Sequence, residues 1–224
     1  MNDSNADRSL AVRPAALFDY DGTLIRGDST LLLLLFTLKR YPRAVGTLAA
    51  LAAALLPFLA GRISRERIKT LALGSLRHVP PPLRQSFFRD FHQRCLEPRL
   101  LPEGLRRLAW HRKQGHLLVL VSASVDLYLE EVSAHLGVHH LVCSRAILDP
   151  SPHLVGPNCR GEEKIRRLML EPFARTIRWE ESWAYGDSLA DRPLLELCGN
   201  PVAVRPHLAL ARHARRLDWP ILHW

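Results

Sequence analysis

Three short apolar runs in the chain each end in a cluster of small polar and acidic residues. Residues 15–18 (AALF) lead into Asp19-Tyr20-Asp21-Gly22-Thr23, residues 117–121 (LLVLV) into Ser122-Ala123-Ser124, and residues 183–185 (WAY) into Gly186-Asp187-Ser188. An apolar run of this length bounded by turn residues predicts a buried strand that delivers a polar turn at its carboxyl end. Helical spacing follows the second run over residues 125–136 and the third over 193–197. Strands alternating with helices predict an α/β fold with a parallel sheet covered on both faces. Ligands of such sheets bind outside the carboxyl ends of the strands, where all three polar turns are expected to converge.

Residues 29–95 break this alternation. Beyond the leucine run at 31–35 the spacing is helical, with no strand pattern before Phe91. The expected organisation is a flexible leader at 1–14, a catalytic core from 15–28 and 96–224, and a small helical cap at 29–95. Inserted after the first strand, the cap would emerge beside the site and could cover it as a lid. Within it, residues 44–61 carry no charge and are mostly alanine and leucine, approaching the roughly 20 apolar residues of a membrane span. A membrane-facing, lipid-binding lid is one reading. Alanine richness, Pro57 and the arginines on both flanks favour a pair of packed cap helices.

Composition narrows the class. With 224 residues, 47% hydrophobic and 24% charged, the chain has apolar material for one domain with an insertion and is neither disordered nor fibrous. Cys95, Cys143, Cys159 and Cys198 form no C-x-x-C pair, which suggests neither a zinc site nor a disulfide framework and fits a reducing compartment. The polar start MNDSNADRSLAVRP has no basic region followed by an apolar core, so a cytoplasmic leader is expected. A formal charge of +9 favours an anionic partner. The arginines are scattered and no basic tract is interleaved with aromatics, so nucleic acid is not expected as a partner.

The acidic turns point to phosphate chemistry. Asp19 and Asp21 lie two apart, on one side of an extended strand, and Gly22 lets the turn close on a small ligand. One carboxylate can attack phosphorus to form an aspartyl-phosphate while its neighbour protonates the leaving alkoxide and then activates water. Two carboxylates repel a phosphate dianion, so the scheme needs a cation. A hard, oxygen-ligated ion such as Mg²⁺ suits carboxylates without histidine, with Asp187 completing its protein ligands. Lys164 is placed to neutralise phosphoryl charge, Ser122 to hydrogen-bond a phosphate oxygen, and Thr23 to serve the phosphate site by orienting the nucleophile.

Four motifs in this order resemble those of the haloacid dehalogenase superfamily, in the branch that contains phosphoserine phosphatase. They are D-x-D-G-T at Asp19 to Thr23, Ser122, Lys164, and G-D-x-x-x-D at Gly186, Asp187 and Asp191. The resemblance implies a Rossmann-like core with Asp19 as nucleophile and Asp21 as acid and base. It also implies Mg²⁺ on the Asp19 carboxylate, the Asp21 backbone carbonyl and Asp187, with Asp191 orienting the ion's surroundings. Asp28 stands where phosphoserine phosphatases carry a glutamate and is the expected substrate-recognition residue next to the cap.

Departures from that pattern argue against phosphoserine as the main substrate. The family's substrate-binding cap arginine aligns with Thr70, beside Lys69; Ala190 replaces an asparagine, and Ser122-Ala123-Ser124 replaces a serine followed by glycines. The run at 158–164 and the apolar cap are closer to other bacterial members of the branch, and to a phosphatidylglycerophosphate phosphatase of the superfamily. The expected function is Mg²⁺-dependent hydrolysis of a small-metabolite phosphate monoester, with a lipid phosphate as the second substrate class and peripheral membrane contact as its corollary. Rivals are phosphotransfer to an acceptor other than water and a non-catalytic binding protein on the same fold. Asp19, Asp21, Lys164 and Asp187 are all present, which disfavours the latter.

The remaining histidines and tryptophans leave this reading unchanged. Adjacent His139 and His140 point apart on helix or strand and are expected to form a surface pair, not a metal site. Trp179, Trp183, Trp219 and Trp224 suit packing better than a stacking platform. The basic then apolar carboxyl end, 212–224, is expected to dock onto the core, with an acidic membrane surface as the alternative. No pattern speaks to oligomeric state.

Overall fold

A computed structural model describes residues 12–224; most of the expected leader, at 1–11, lies outside the described residues. The two central strands are β1 (Ala15–Phe18) and β2 (Leu117–Val125). Their side chains alternate between two core layers, with Ala16, Phe18, Leu118 and Leu120 in one and Ala15, Leu17, Leu117 and Val119 in the other. A strand apolar on both faces must be covered on both, which is why these segments read as unbroken apolar runs.

After β1 the chain enters the helical segment expected to form the cap: α1 (Ser29–Arg40), α2 (Gly46–Leu59), α3 (Arg65–Leu73), α4 (Arg84–Phe91) and a π turn at His92–Leu96. It returns through α5 (Pro102–Lys113) to β2 and α6 (Asp126–Leu136), then β3 (His140–Ile147), β4 (His153–Val155) and α7 (Glu162–Leu170). Next come β5 (Trp183–Gly186), α8 (Arg192–Leu197), β6 (Asn200–Val204), α9 (Leu208–Arg216) and β7 (Ile221–Leu222). Among the described residues, seven strands form one sheet in the order β4-β3-β2-β1-β5-β6-β7. Its neighbours pair in parallel except β3 and β4, giving the expected Rossmann-like α/β fold. With β1 in the middle, its carboxyl end opens onto the ends of both β2 and β5.

Two segments differ from their sequence readings. Ser122-Ala123-Ser124 is not a turn; β2 continues through it, with a register shift against β3 between Ser122 and Val125. Side chains take over backbone pairing there: Ser122 Oγ accepts from the Ser124 N–H at 3.0 Å, and Ser144 Oγ donates to the Ala123 carbonyl at 2.7 Å. Helix α2 packs on α3 on one side only. On the other side Leu55, Leu56 and Leu59 are exposed, Leu56 by 77%. Together with the preceding turn, residues Pro42–Leu59 are long and apolar enough to cross a membrane, by length and composition only.

The carboxyl end docks onto the core. Strand β7 pairs with β6, and the Trp224 indole N–H donates to the Thr23 carbonyl at 2.9 Å. His139 Nδ1 accepts from the Leu118 N–H, and His140 stacks on Phe173 with ring centroids 3.7 Å apart, so each histidine has a packing role.

Under β5, His111 is fully buried, with Nε2 2.8 Å from the Tyr185 hydroxyl and Nδ1 2.8 Å from His116 Nδ1. Burial, helped by His116 and Arg107, pushes its pKa down to about 3. In the unfolded chain a histidine titrates near ~6.5, so on acidification the unfolded state binds a proton that the folded state refuses. Stability present at neutral pH is therefore lost progressively below about pH 6.5. At ~1.4 kcal/mol per pH unit, lowering the pH from about 7 to about 4.5 costs about 2–3 kcal/mol from this residue. Urea unfolding midpoints at the two pH values check this, and His111→Gln flattens the dependence.

Candidate active site

The turn after β1 is held open by its own carbonyls. Thr23, Leu24 and Ile25 N–H groups all donate to the Tyr20 carbonyl, and the Asp19 N–H donates to the Tyr185 carbonyl of β5 at 2.9 Å. Gly22 sits at φ +76°, and a Cβ there would lie 2.1 Å from Asp187 Oδ2. Only glycine lets the β1 and β5 turns approach this closely. A similar close approach occurs at Gly186, where a Cβ would lie 2.5 Å from Asp191 Cβ.

That approach gathers a cluster of buried charges. Lys164, 1% exposed on α7, donates from Nζ to Asp19 Oδ1 and to Asp191 Oδ1, each at 2.6 Å. Asp191 is fixed further by the Ser188 N–H at 3.0 Å and the Ser188 hydroxyl at 2.8 Å. Carboxylate oxygens of Asp19, Asp187 and Asp191 all lie within 4.8 Å of one another. Burial, with the charge of Asp191, raises the Asp19 pKa well above the usual carboxylate range despite Lys164. Burial and Asp191 likewise push Asp187 up to about 7, opposed by His207 and Lys164. Against burial, Lys164 and Ser188 hold Asp191 below its ordinary value. One lysine does not balance three carboxylates, and the oxygen-only donor set with surplus negative charge fits a hard divalent cation such as Mg²⁺. Lys164 and Ser188 already occupy Asp191, which leaves Asp19 and Asp187 as the side chains to hold it.

The Asp21 carboxylate is not in this cluster. It is gripped by the Ser29 N–H at 2.7 Å, the Ser29 hydroxyl at 3.0 Å and the Ser124 hydroxyl at 2.5 Å, with Tyr128 OH 2.7 Å behind Ser29. Burial and the charge of Asp28 push it up to about 6, against those hydrogen bonds. Ser122 is buried and engaged with the Ser124 N–H. Thr23 differs from its expected role: its Oγ1 is buried without a partner, so the hydrogen bond to Asp19 is not made. The turn uses the Thr23 backbone instead, N–H to Tyr20 and carbonyl to Trp224. Asp28 is exposed and caps α1, accepting from the Leu31 N–H at 2.9 Å, a local task its sequence position did not announce.

In sequence Lys69 is only the neighbour of Thr70. From α3 of the cap its ammonium reaches the Ala123 carbonyl at the end of β2 and, at 3.1 Å, Asn158 Oδ1. Burial lowers its pKa, and the nearby Asp21 and Asp28 charges oppose the shift. It is the cap's cationic contribution next to Asp21, together with the neutral grip of Ser29.

Comparison with known proteins bears on this arrangement. The family described as haloacid dehalogenase-like hydrolase matches residues 16–196. A "Probable phosphatase" of Mycobacterium tuberculosis is 26% identical over 218 residues, covering 94% of this chain and 75% of that protein. A "Histidinol-phosphatase" of Neisseria meningitidis is 24% identical over 217 residues, covering 93% and 98%. Among solved structures, a protein of unknown function from Bordetella pertussis superposes with a TM-score of 0.81 at 24% identity, covering 95% of this chain and 98% of that one. A phosphoserine phosphatase carrying a phospho-aspartyl intermediate analogue shares the fold at a TM-score of 0.66 and 16% identity, covering 94% and 93%. The family match spans most of the chain, on a sheet that carries the acidic turns at its strand ends, and the protein belongs to the haloacid dehalogenase-like hydrolases.

Proposed function

We propose that this hydrolase is a Mg²⁺-dependent phosphatase that cleaves the phosphate monoester of a small metabolite through an aspartyl-phosphate on Asp19. The observation that carries the reading is the buried Lys164 ammonium bonded to Asp19 beside Asp187 and Asp191, a nucleophile inside a charge cluster suited to a transferring phosphoryl group. Held by Asp19 and Asp187, Mg²⁺ would supply the positive charge that lets a phosphate dianion approach two carboxylates. An Asp19 carboxylate oxygen attacks phosphorus as the ester P–O bond breaks, and the leaving alkoxide takes its proton from Asp21. Water then attacks the same phosphorus, losing a proton to Asp21, and the P–O bond to Asp19 breaks to release phosphate. Lys164 offsets the charge that develops on the phosphoryl oxygens. Ser122 stands on the phosphate side at the end of β2, and Lys69 of the cap, with Asp28 at the start of α1, meets the leaving group.

The names of the mycobacterial and neisserial relatives support phosphatase chemistry. A cytoplasmic metabolite phosphatase fits the composition. A second reading, a lipid phosphate as substrate, draws on the exposed Leu55, Leu56 and Leu59 of α2 with exposed Arg43, Arg62 and Arg65 near its ends. An apolar face rimmed by arginines suits contact with an acidic lipid surface.

Phosphate release with Mg²⁺ across a panel of small monoesters and phosphatidylglycerophosphate in detergent separates the readings. Turnover of soluble esters is the expected result. Preference for the lipid moves α2 to a membrane-facing lid, and no release from any of them overturns the phosphatase assignment in favour of a non-catalytic binding protein.

A further inference from the structure

His92 has no explanation in packing. It opens the π turn through which the chain leaves the cap, it is 3% exposed, and neither Nδ1 nor Nε2 has a hydrogen-bond partner. Buried polar atoms almost always find partners, so an imidazole with two unpaired nitrogens calls for a ligand. Its ring lies against that of His135 in the last turn of α6, with centroids 4.9 Å apart at 66°. Glu97, five residues along from His92, completes a group whose ligand atoms all lie within 4.8 Å of one another.

Two imidazole nitrogens and one carboxylate oxygen form the donor set of a four-coordinate zinc site that keeps a position for water, and imidazole is a poor ligand for Mg²⁺. The charges bearing on His92 are His135, Glu97 and Glu131. Burial and His135 hold its pKa below the ordinary value, which favours the neutral, ligating form. Ligands of a tetrahedral zinc ion stand about 3.4 Å apart, from bonds of roughly 2.0–2.1 Å. Glu97 and His135 are exposed and have room to close that distance on the buried His92.

We propose that His92, Glu97 and His135 bind a divalent transition-metal ion of the zinc type at the joint between cap and core. His92 and Glu97 belong to the segment returning from the cap, and His135 belongs to a core helix. The ion therefore ties the cap's exit to α6 and limits how far the cap swings from the sheet.

The test uses full-length protein carrying Asp19→Asn, so that the acidic cluster of the active site is weakened as a competitor, stripped with chelator and titrated with Zn²⁺ and Co²⁺. One equivalent of Zn²⁺ is expected, with visible Co²⁺ absorption of a low-coordinate nitrogen and oxygen site. Glu97→Gln and His135→Gln, both at exposed positions, are each expected to weaken binding about tenfold or more and to abolish the rise in melting temperature that Zn²⁺ gives the parent. Absence of stoichiometric binding, or equal affinity in both variants and the parent, overturns the proposal.

Discussion

Asp19→Asn is expected to remove turnover and leave the fold in place. The amide oxygen keeps the shape of the carboxylate and can still accept from Lys164, which lies 2.6 Å away. An amide is a far weaker nucleophile toward phosphorus, so the rate is expected to fall by about 10³-fold or more. Stability moves little, for opposed reasons. The substitution gives up an ion pair with Lys164, and it also removes a buried charge whose pKa is raised by desolvation and by Asp191. The expected net change is within ~1 kcal/mol. Single-turnover phosphate release and a thermal melt on the same preparation measure both halves. Residual turnover within about tenfold of the parent would place the nucleophile elsewhere.

The parts of the site that were legible in the sequence are those fixed by the central strands. Strands β1, β2 and β5 lie at the centre of the sheet and show as short apolar runs, and their carboxyl ends are where acidic and small residues accumulate. Strands β3 and β6 did not show. His140, Cys143, Ser144 and Arg145 interrupt the first, Asn200 and Pro201 open the second, and neither gives a clean apolar run. Ser122-Ala123-Ser124 looked like a turn because serine and alanine favour no strand; the strand is sustained there by hydroxyl-to-backbone bonds, one local to β2 and one from Ser144 of β3. Ser29, Lys69 and Tyr128 come from three different helices, and no local spacing connects them to Asp21. The exposed side of α2 was illegible for a related reason. An apolar helix has the same composition whether or not a neighbour covers it.

The acidic cluster makes Lys164 the position where a single substitution should cost most in stability. Lys164→Met keeps the length of the stem and removes the ammonium that Asp19 and Asp191 share. Breaking a buried ion pair by deleting one partner leaves uncompensated charge, worth about 3–5 kcal/mol. The penalty is expected to shrink as the pH is lowered, because protonation removes the carboxylate charge that the missing ammonium no longer offsets. It should be partly relieved by Asp191→Asn in the same chain, since the double variant no longer faces Asp19 with an unpaired carboxylate. Mg²⁺ offers a second form of relief: an ion held by Asp19 and Asp187 replaces part of the missing positive charge, and binding to the folded state alone stabilises it by mass action. The urea midpoint of Lys164→Met is therefore expected to rise more with added Mg²⁺ than that of the parent. Catalysis falls as well, by about 10²–10³-fold, because the phosphoryl oxygens lose the cation that offsets their developing charge. A stability loss below ~1 kcal/mol in magnesium-free buffer would show that the cluster is not held as buried charge. The surplus of carboxylates would then no longer argue for a metal ion at the end of β1.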